Sequence, residues 1–195
     1  MIDAITKCYS NPASSDYSIV SSNIRFSRIF EGLNINETKV LDYGCGPGNM
    51  ASWFSRNNQK PALYHGYDIR EETITIAQQR NPTYQFSTAL CLDFVFDIAV
   101  FAGTISYAFD DDITKCKQIY EHEIVKAMGL LHPQGFIRAT ARKIGYEYER
   151  KQNKRMLTYS VEDLERLGAS SISSLFDHEW TVSYTHLTLP TTPYV

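Results

Sequence analysis

No stretch of this 195-residue chain approaches the ~20 consecutive apolar residues that a membrane-spanning helix requires. Its first residues, Met1 to Asn11, lack the basic segment and apolar run of a secretion signal. A soluble, cytoplasmic protein that does not enter a membrane is therefore expected. Basic charge is not in excess: 19 Lys and Arg against 22 Asp and Glu leave a net charge of −3. Broad non-specific nucleic-acid binding needs a basic surface to neutralise phosphates, so no nucleic-acid partner is expected. Cysteine is scarce, and Cys8, Cys45, Cys91 and Cys116 lie far apart with no C-x-x-C pair. Neither a zinc site nor a disulfide framework is indicated. The five histidines show no ligand spacing, so no metal is expected, and Glu121-His122-Glu123 reads as a solvated helix segment.

What is present fits one domain. Hydrophobic residues make up 43% and charged residues 21%, near the globular average, so disorder is not the default. Aromatics reach 13%, enough for a large core or an aromatic-lined pocket. The stretch Val182 to Thr192 resembles an in-frame translation of a sequencing-library adapter. Residues 182–195 are therefore expected to be a non-native tail standing where the native C-terminus would be.

Along the chain, Tyr17 to Leu33 spaces its apolar residues as an amphipathic helix, and residues 1–38 read as an N-terminal helical cap. From Lys39 to residue 181, strand and helix signals alternate. Val40 to Tyr43 breaks into Gly44-Cys45-Gly46-Pro47-Gly48, and Met50, Trp53 and Phe54 mark one face of a helix. Strands are predicted over Ala62–Asp68, Tyr84–Leu90, Phe96–Phe101 and Phe136–Ala141, with a turn at His132 to Gly135. Helices are predicted over Arg70–Arg80 and from Asp110–Asp112 to about Leu131, the latter burying Ile113, Cys116, Ile119, Tyr120, Ala127 and Leu131. Ser160 to Asp163 is an acidic capping box. Ala169–Phe176 and Glu179–Tyr184 form a hairpin. This alternation predicts an α/β, mostly parallel sheet with helices on both faces and ligand-binding loops along one edge.

The glycine-rich segment sits between a strand and a helix, where the chain must turn sharply and let a ligand lie on bare backbone. The dinucleotide fingerprint G-x-G-x-x-G places its third glycine inside the helix. Here the pattern is G-x-G-x-G, and Asn49 follows. Asp68 ends the second strand, where a carboxylate can accept hydrogen bonds from both hydroxyls of a ribose.

With Asp42 included, Val40 to Gly48 resembles the first motif of the class I S-adenosylmethionine-dependent methyltransferases, and element order follows that family over residues 39–181. The resemblance implies a Rossmann-like, seven-stranded sheet with a C-terminal antiparallel hairpin, its last strand truncated, and S-adenosyl-L-methionine as cofactor. Gly44 and Gly46 would be backbone contacts, with Tyr43, Cys45 and Gly48 alongside. Asp42 would orient the loop or reach the methionine ammonium, Asp68 would hold the ribose, and Ile69 would pack on the adenine. The family commonly has an acidic adenine contact after the third strand. This sequence has none there, leaving Thr88, Ala89 or Asp93. Ala102 and Gly103 would let cofactor and substrate approach the backbone, and Ser106 and Tyr107 are candidate substrate contacts.

The segment after Phe101 lacks the Asn/Asp-Pro-Pro-Tyr/Phe signature of many enzymes that methylate exocyclic or amide nitrogens, and the Pro-Cys pair of cytosine C5 enzymes. The acceptor is expected to be a small molecule. Methyl transfer from a sulfonium needs alignment and exclusion of water more than an acid–base dyad. A basic run, Arg138, Arg142, Lys143, Arg150, Lys151, Lys154 and Arg155, reads as a solvated loop or as a lid favouring an anionic substrate. A nicotinamide-dependent oxidoreductase and a non-catalytic cofactor-binding domain are the competing readings. Oligomeric state is left open by the sequence.

Overall fold

A computed structural model describes residues 18–90, 93–144 and 156–185. Seven strands form one sheet: β1 (Lys39–Tyr43), β2 (Leu63–Tyr67), β3 (Gln85–Ser87), β4 (Phe96–Phe101), β5 (Leu131–Arg142), β6 (Ser171–Phe176) and β7 (Glu179–Thr185). Their order is β3-β2-β1-β4-β5-β7-β6. The first five are parallel, and β7 runs antiparallel to both β5 and β6. This is the Rossmann-like α/β fold with its C-terminal antiparallel hairpin.

Among the described residues five α-helices cover the sheet: α1 (Ile19–Ile29), α2 (Asn49–Arg56), α3 (Glu71–Arg80), α4 (Ile113–Met128) and α5 (Val161–Arg166). Alternation along β1 sends Val40 to one face and Leu41 and Tyr43 to the other, and two apolar clusters result. One holds Phe26, Ile29, Met50, Trp53, Phe54, Ile74 and Ala77 from α1, α2 and α3. The other holds Cys116, Tyr120, Ile124 and Leu164 from α4 and α5. Phe30 stacks on Trp53 at 5.8 Å between ring centroids, locking the end of α1 onto α2. Full burial of each such aromatic contributes about 1.5–3 kcal/mol.

Several local expectations change on folding. α1 covers only part of the predicted span, and Ile19, Val20 and Ile24 are exposed while Phe26 and Ile29 are buried. Ile113, expected inside, is 36% exposed because α4 opens with its first turn off the sheet, capped by Asp112. The predicted turn at His132 to Gly135 is instead part of β5, which absorbs it as an irregularity in its pairing with β4. The capping box forms: Ser160 accepts from the Asp163 amide and Asp163 accepts from the Ser160 amide. β7 runs to Thr185, with Val182 and Tyr184 fully buried, so the sheet continues past the boundary at which a tail was expected to begin.

The return from β3 to β4 matters most for the site. Between β3 and β4 no helix forms among the described residues, although a parallel crossover usually carries one. Leu90 packs on the apolar cluster to which α4 contributes.

Candidate cofactor site

The turn after β1 is tied to the end of β2. The Gly44 and Cys45 amides both donate to the Tyr67 carbonyl, at 2.7 and 2.9 Å. The Gly46 amide donates to Asp68 Oδ2 at 3.1 Å, and the Arg70 amide donates to Asp68 Oδ1 at 3.1 Å. Each carboxylate oxygen thus holds one backbone donor and keeps a lone-pair direction for another. Gly44 and Gly46 take φ of 77° and 54°, in the left-handed region. A Cβ on Gly44 would come within 2.6 Å of the Thr104 side chain, whose hydroxyl donates to the Tyr43 carbonyl at 2.9 Å.

Asp42 is 2% exposed and accepts from the Tyr64 hydroxyl at 2.7 Å. Burial pushes its carboxyl up to about 7; the Tyr64 hydrogen bond opposes the shift and nearby Asp68 adds to it. Burial also raises Asp68, against its two backbone donors and the Arg70 charge. The buried Cys45 thiol is pushed well up by burial and by both carboxylates, which favours its protonated form.

A cavity of about 320 Å³ opens along the C-terminal ends of β1, β2 and β4. Asp42, Tyr43, Gly44, Cys45 and Gly46 line it, and so do Asp68, Ile69, Ala102 and Tyr107. Its size is that of a small-molecule pocket. Other expected residues fall outside. Gly48 (φ 81°) starts α2 and is fixed by Asn81: the Asn81 amide donates to its carbonyl, and a Cβ would meet that nitrogen at 2.6 Å. Thr88, Ala89 and Asp93 are exposed and line no part of the cavity. Gly103 turns the chain at φ 78° while its amide donates to Thr140. Ser106 is 3% exposed; its hydroxyl accepts from the Arg142 amide and its carbonyl from the Leu157 amide, so it joins backbone segments and does not face the cavity.

Residues that sequence reading left aside complete the walls. Phe26 and Met50 come from the α1–α2 layer; Tyr67 and Phe101 come from the sheet. Ile119, Tyr120, Glu123 and Lys126 come from α4, on the opposite face. Glu123 is therefore no solvated helix residue: it lines the cavity and accepts a short hydrogen bond from the Tyr43 hydroxyl. Burial and Glu123 raise Tyr43, which keeps it protonated as the donor. Tyr43 stacks on Phe101 at 4.6 Å and meets Tyr67 edge-on at 4.9 Å.

Of the basic run, Arg138 donates to the Ile29 and Glu31 carbonyls and Lys143 lies 4.2 Å over the Trp180 ring. Arg142 ends β5, and Arg150, Lys151, Lys154 and Arg155 lie outside the described residues. Among the described residues no group of three His, Cys, Asp or Glu side chains could hold a metal ion, and no helix is long and apolar enough to cross a membrane.

The walls offer the backbone of the glycine turn, the buried Asp42 and half-buried Asp68 carboxylates at adjoining strand ends, and apolar and aromatic sides. They present no paired nucleophile and base.

Residues 40–122 match a family model described as a methyltransferase domain. Solved structures similar to the chain include the PH0226 protein of Pyrococcus horikoshii OT3, at 14% identity and TM-score 0.65, covering 92% of this chain and 98% of that one. The glycopeptide N-methyltransferase MtfA, complexed with S-adenosyl-L-methionine, aligns at 14% identity and TM-score 0.62, covering 89% of this chain and 96% of its own. The N-methyltransferase NodS of Bradyrhizobium japonicum WM9, in complex with S-adenosyl-L-homocysteine, aligns at 12% identity and TM-score 0.58 over 93% and 97%. A comparison with curated proteins finds no sequence match. Nothing in these comparisons favours the nicotinamide-dependent or non-catalytic readings.

Proposed function

We propose that the chain is a class I S-adenosylmethionine-dependent methyltransferase, that the cavity behind the glycine turn holds the cofactor, and that its methyl group passes to a small organic acceptor. The observation that carries this reading is the joint engagement of the Gly46 amide and the Asp68 carboxylate at the cavity wall. The turn and the sugar-binding carboxylate are thereby held as one rigid unit.

The residues fit the cofactor. Asp68 has capacity left on both oxygens for a ribose diol. Asp42, buried at the foot of the turn, offers a carboxylate to an ammonium. Ile69 and Tyr67 provide apolar surface for a base. When bound, the cofactor supplies a sulfonium-activated methyl group. Asp42, Gly44, Gly46 and Asp68 then fix its orientation, so that the acceptor needs only to be aligned in line with the methyl. Phe26, Met50 and Tyr107 bring apolar surface to the same cavity and exclude water from it. Because no lining residue is arranged as a base, an acceptor that is already nucleophilic at neutral pH suits the site best. Ser106 is not proposed as a substrate contact; Tyr107 is.

Calorimetry tests the reading. S-adenosylmethionine and S-adenosylhomocysteine are expected to bind and NAD is not. Absence of heat with both sulfur nucleosides, on folded protein, overturns it. A labelled-methyl screen against small amines, phenols and thiols would then identify the acceptor class.

A further inference from the structure

The cavity has an arm that the glycine turn and Asp68 do not account for. On its α4 side it is lined by Glu123 and Lys126, one turn apart on the same helix face. Their charged groups lie 3.8 Å apart, with Glu123 24% and Lys126 47% exposed. The Glu123 carboxylate is held from beneath by the Tyr43 hydroxyl, and Tyr43 is itself packed between Tyr67 and Phe101. An ordinary Glu–Lys pair at this spacing sits on a solvated face and is worth little. This one is fastened to the sheet and forms a cavity wall. Both side chains keep part of their surface open within that wall.

The chemistry of the pair is specific. A carboxylate only accepts hydrogen bonds and an ammonium only donates them. Side by side, they present an acceptor next to a donor. The edge of a 6-aminopurine presents the complement: an exocyclic amino group that donates, beside a ring nitrogen that accepts. A 6-oxopurine reverses both. The flat walls, Tyr67 with Ile69 and Ile119, suit a planar base, and the residues at the β3 end, Thr88 and Ala89, lie outside the cavity.

We infer that Glu123 and Lys126 on α4 read the base edge of the bound nucleoside, selecting a 6-amino over a 6-oxo purine. Glu123 accepts from the exocyclic amine, Lys126 donates to the neighbouring ring nitrogen, and Tyr43 is the positioning residue that holds the carboxylate. This rests on the cofactor reading above.

The experiment is calorimetric binding of S-adenosylhomocysteine and S-inosylhomocysteine to the wild-type protein and to the Glu123→Gln, Glu123→Ala and Lys126→Met variants. Wild type is expected to prefer the adenosyl ligand by about tenfold or more, the scale of one charged hydrogen bond won against one lost. Glu123→Ala and Lys126→Met are expected to reduce that preference to about threefold or less, chiefly by weakening the adenosyl ligand. Lys126 is half exposed, so its variant keeps the fold even if Glu123→Ala does not, and Glu123→Gln preserves side-chain volume. A wild-type preference that survives in Lys126→Met and in the folded Glu123 variants overturns the inference alone. So does a wild type that binds both ligands equally. Failure of wild type to bind either ligand overturns the cofactor reading, and this inference with it.

Discussion

Replacing Asp42 with Asn should make the protein more stable and its cofactor site worse, and both effects follow from one buried proton. The carboxyl rises from its ordinary 3.8 to about 7 because burial penalises the charge. A raised carboxyl means that between those two values the folded protein holds a proton that the unfolded chain has released. Stability is therefore fully present below about pH 4 and falls as pH rises toward 7. A shift of this size corresponds to about 4 kcal/mol lost by pH 8. Asparagine cannot ionise, and its amide oxygen can still accept from Tyr64. Urea unfolding of the apo protein from pH 5 to pH 8 should show the Asp42→Asn variant gaining about 3 kcal/mol on wild type across that range, nearly all of it by pH 7. Binding moves the other way. An ammonium in the cavity prefers the ionised carboxylate, so wild-type affinity for S-adenosylhomocysteine should rise with pH, by up to tenfold per unit below 7, and level off above it. The variant should bind weakly with that pH dependence removed. Parallel stability curves for the two proteins, or an Asn variant less stable at pH 8, would refute the assignment of a buried, proton-holding Asp42.

Other predictions follow from the same contacts. Gly44→Ala places a side chain at φ 77° and against Thr104, so a loss of about 2–4 kcal/mol in chemical denaturation and loss of nucleoside binding are expected. Asp68→Ala removes the acceptor of the Gly46 amide, and calorimetry should show affinity for S-adenosylhomocysteine falling about tenfold to a hundredfold. Ser106→Ala should lower stability by about 1–2 kcal/mol through loss of the hydrogen bond that its hydroxyl accepts from the Arg142 amide, while leaving cofactor affinity unchanged. Glu179→Gln breaks the buried pair with Arg25, whose ends lie 2.6 Å apart between α1 and β7; a cost of about 3–5 kcal/mol in thermal or urea melts is expected.

The parts of the fold that could be read directly are those written in local chemistry. Period-2 and continuous apolar runs marked β1 and β4, Ser160 and Asp163 marked a helix start, and the glycines marked the turn. What escaped was set by tertiary placement. Ile19 and Val20 fit an apolar helix face by spacing, yet the side of α1 that docks on α2 is chosen by Phe26 and Ile29. Gly48 looked like a ligand contact because it completes the motif, whereas its neighbour is Asn81, brought there from α3. Ser106 follows a strand end, as an active-site residue would, but its hydroxyl is turned into the β5 backbone. Glu123 and Lys126 gave no signal at all. A Glu-x-x-Lys spacing on a helix reads as surface, and only the pairing of β1 with β2 and β4 carries Tyr43 to a place where its hydroxyl meets Glu123.

β7 sits between β5 and β6 although it follows both in the chain. Until it has emerged from the ribosome, β5 is an unpaired border and β6 has no strand to join. Val182 and Tyr184, which seal the interior at that point, arrive among the last described residues. A nascent or prematurely shortened chain would carry its helices and parallel strands yet leave a sticky flank for other polypeptides to pair with. Completion of the sheet thus waits on the synthesis of β7.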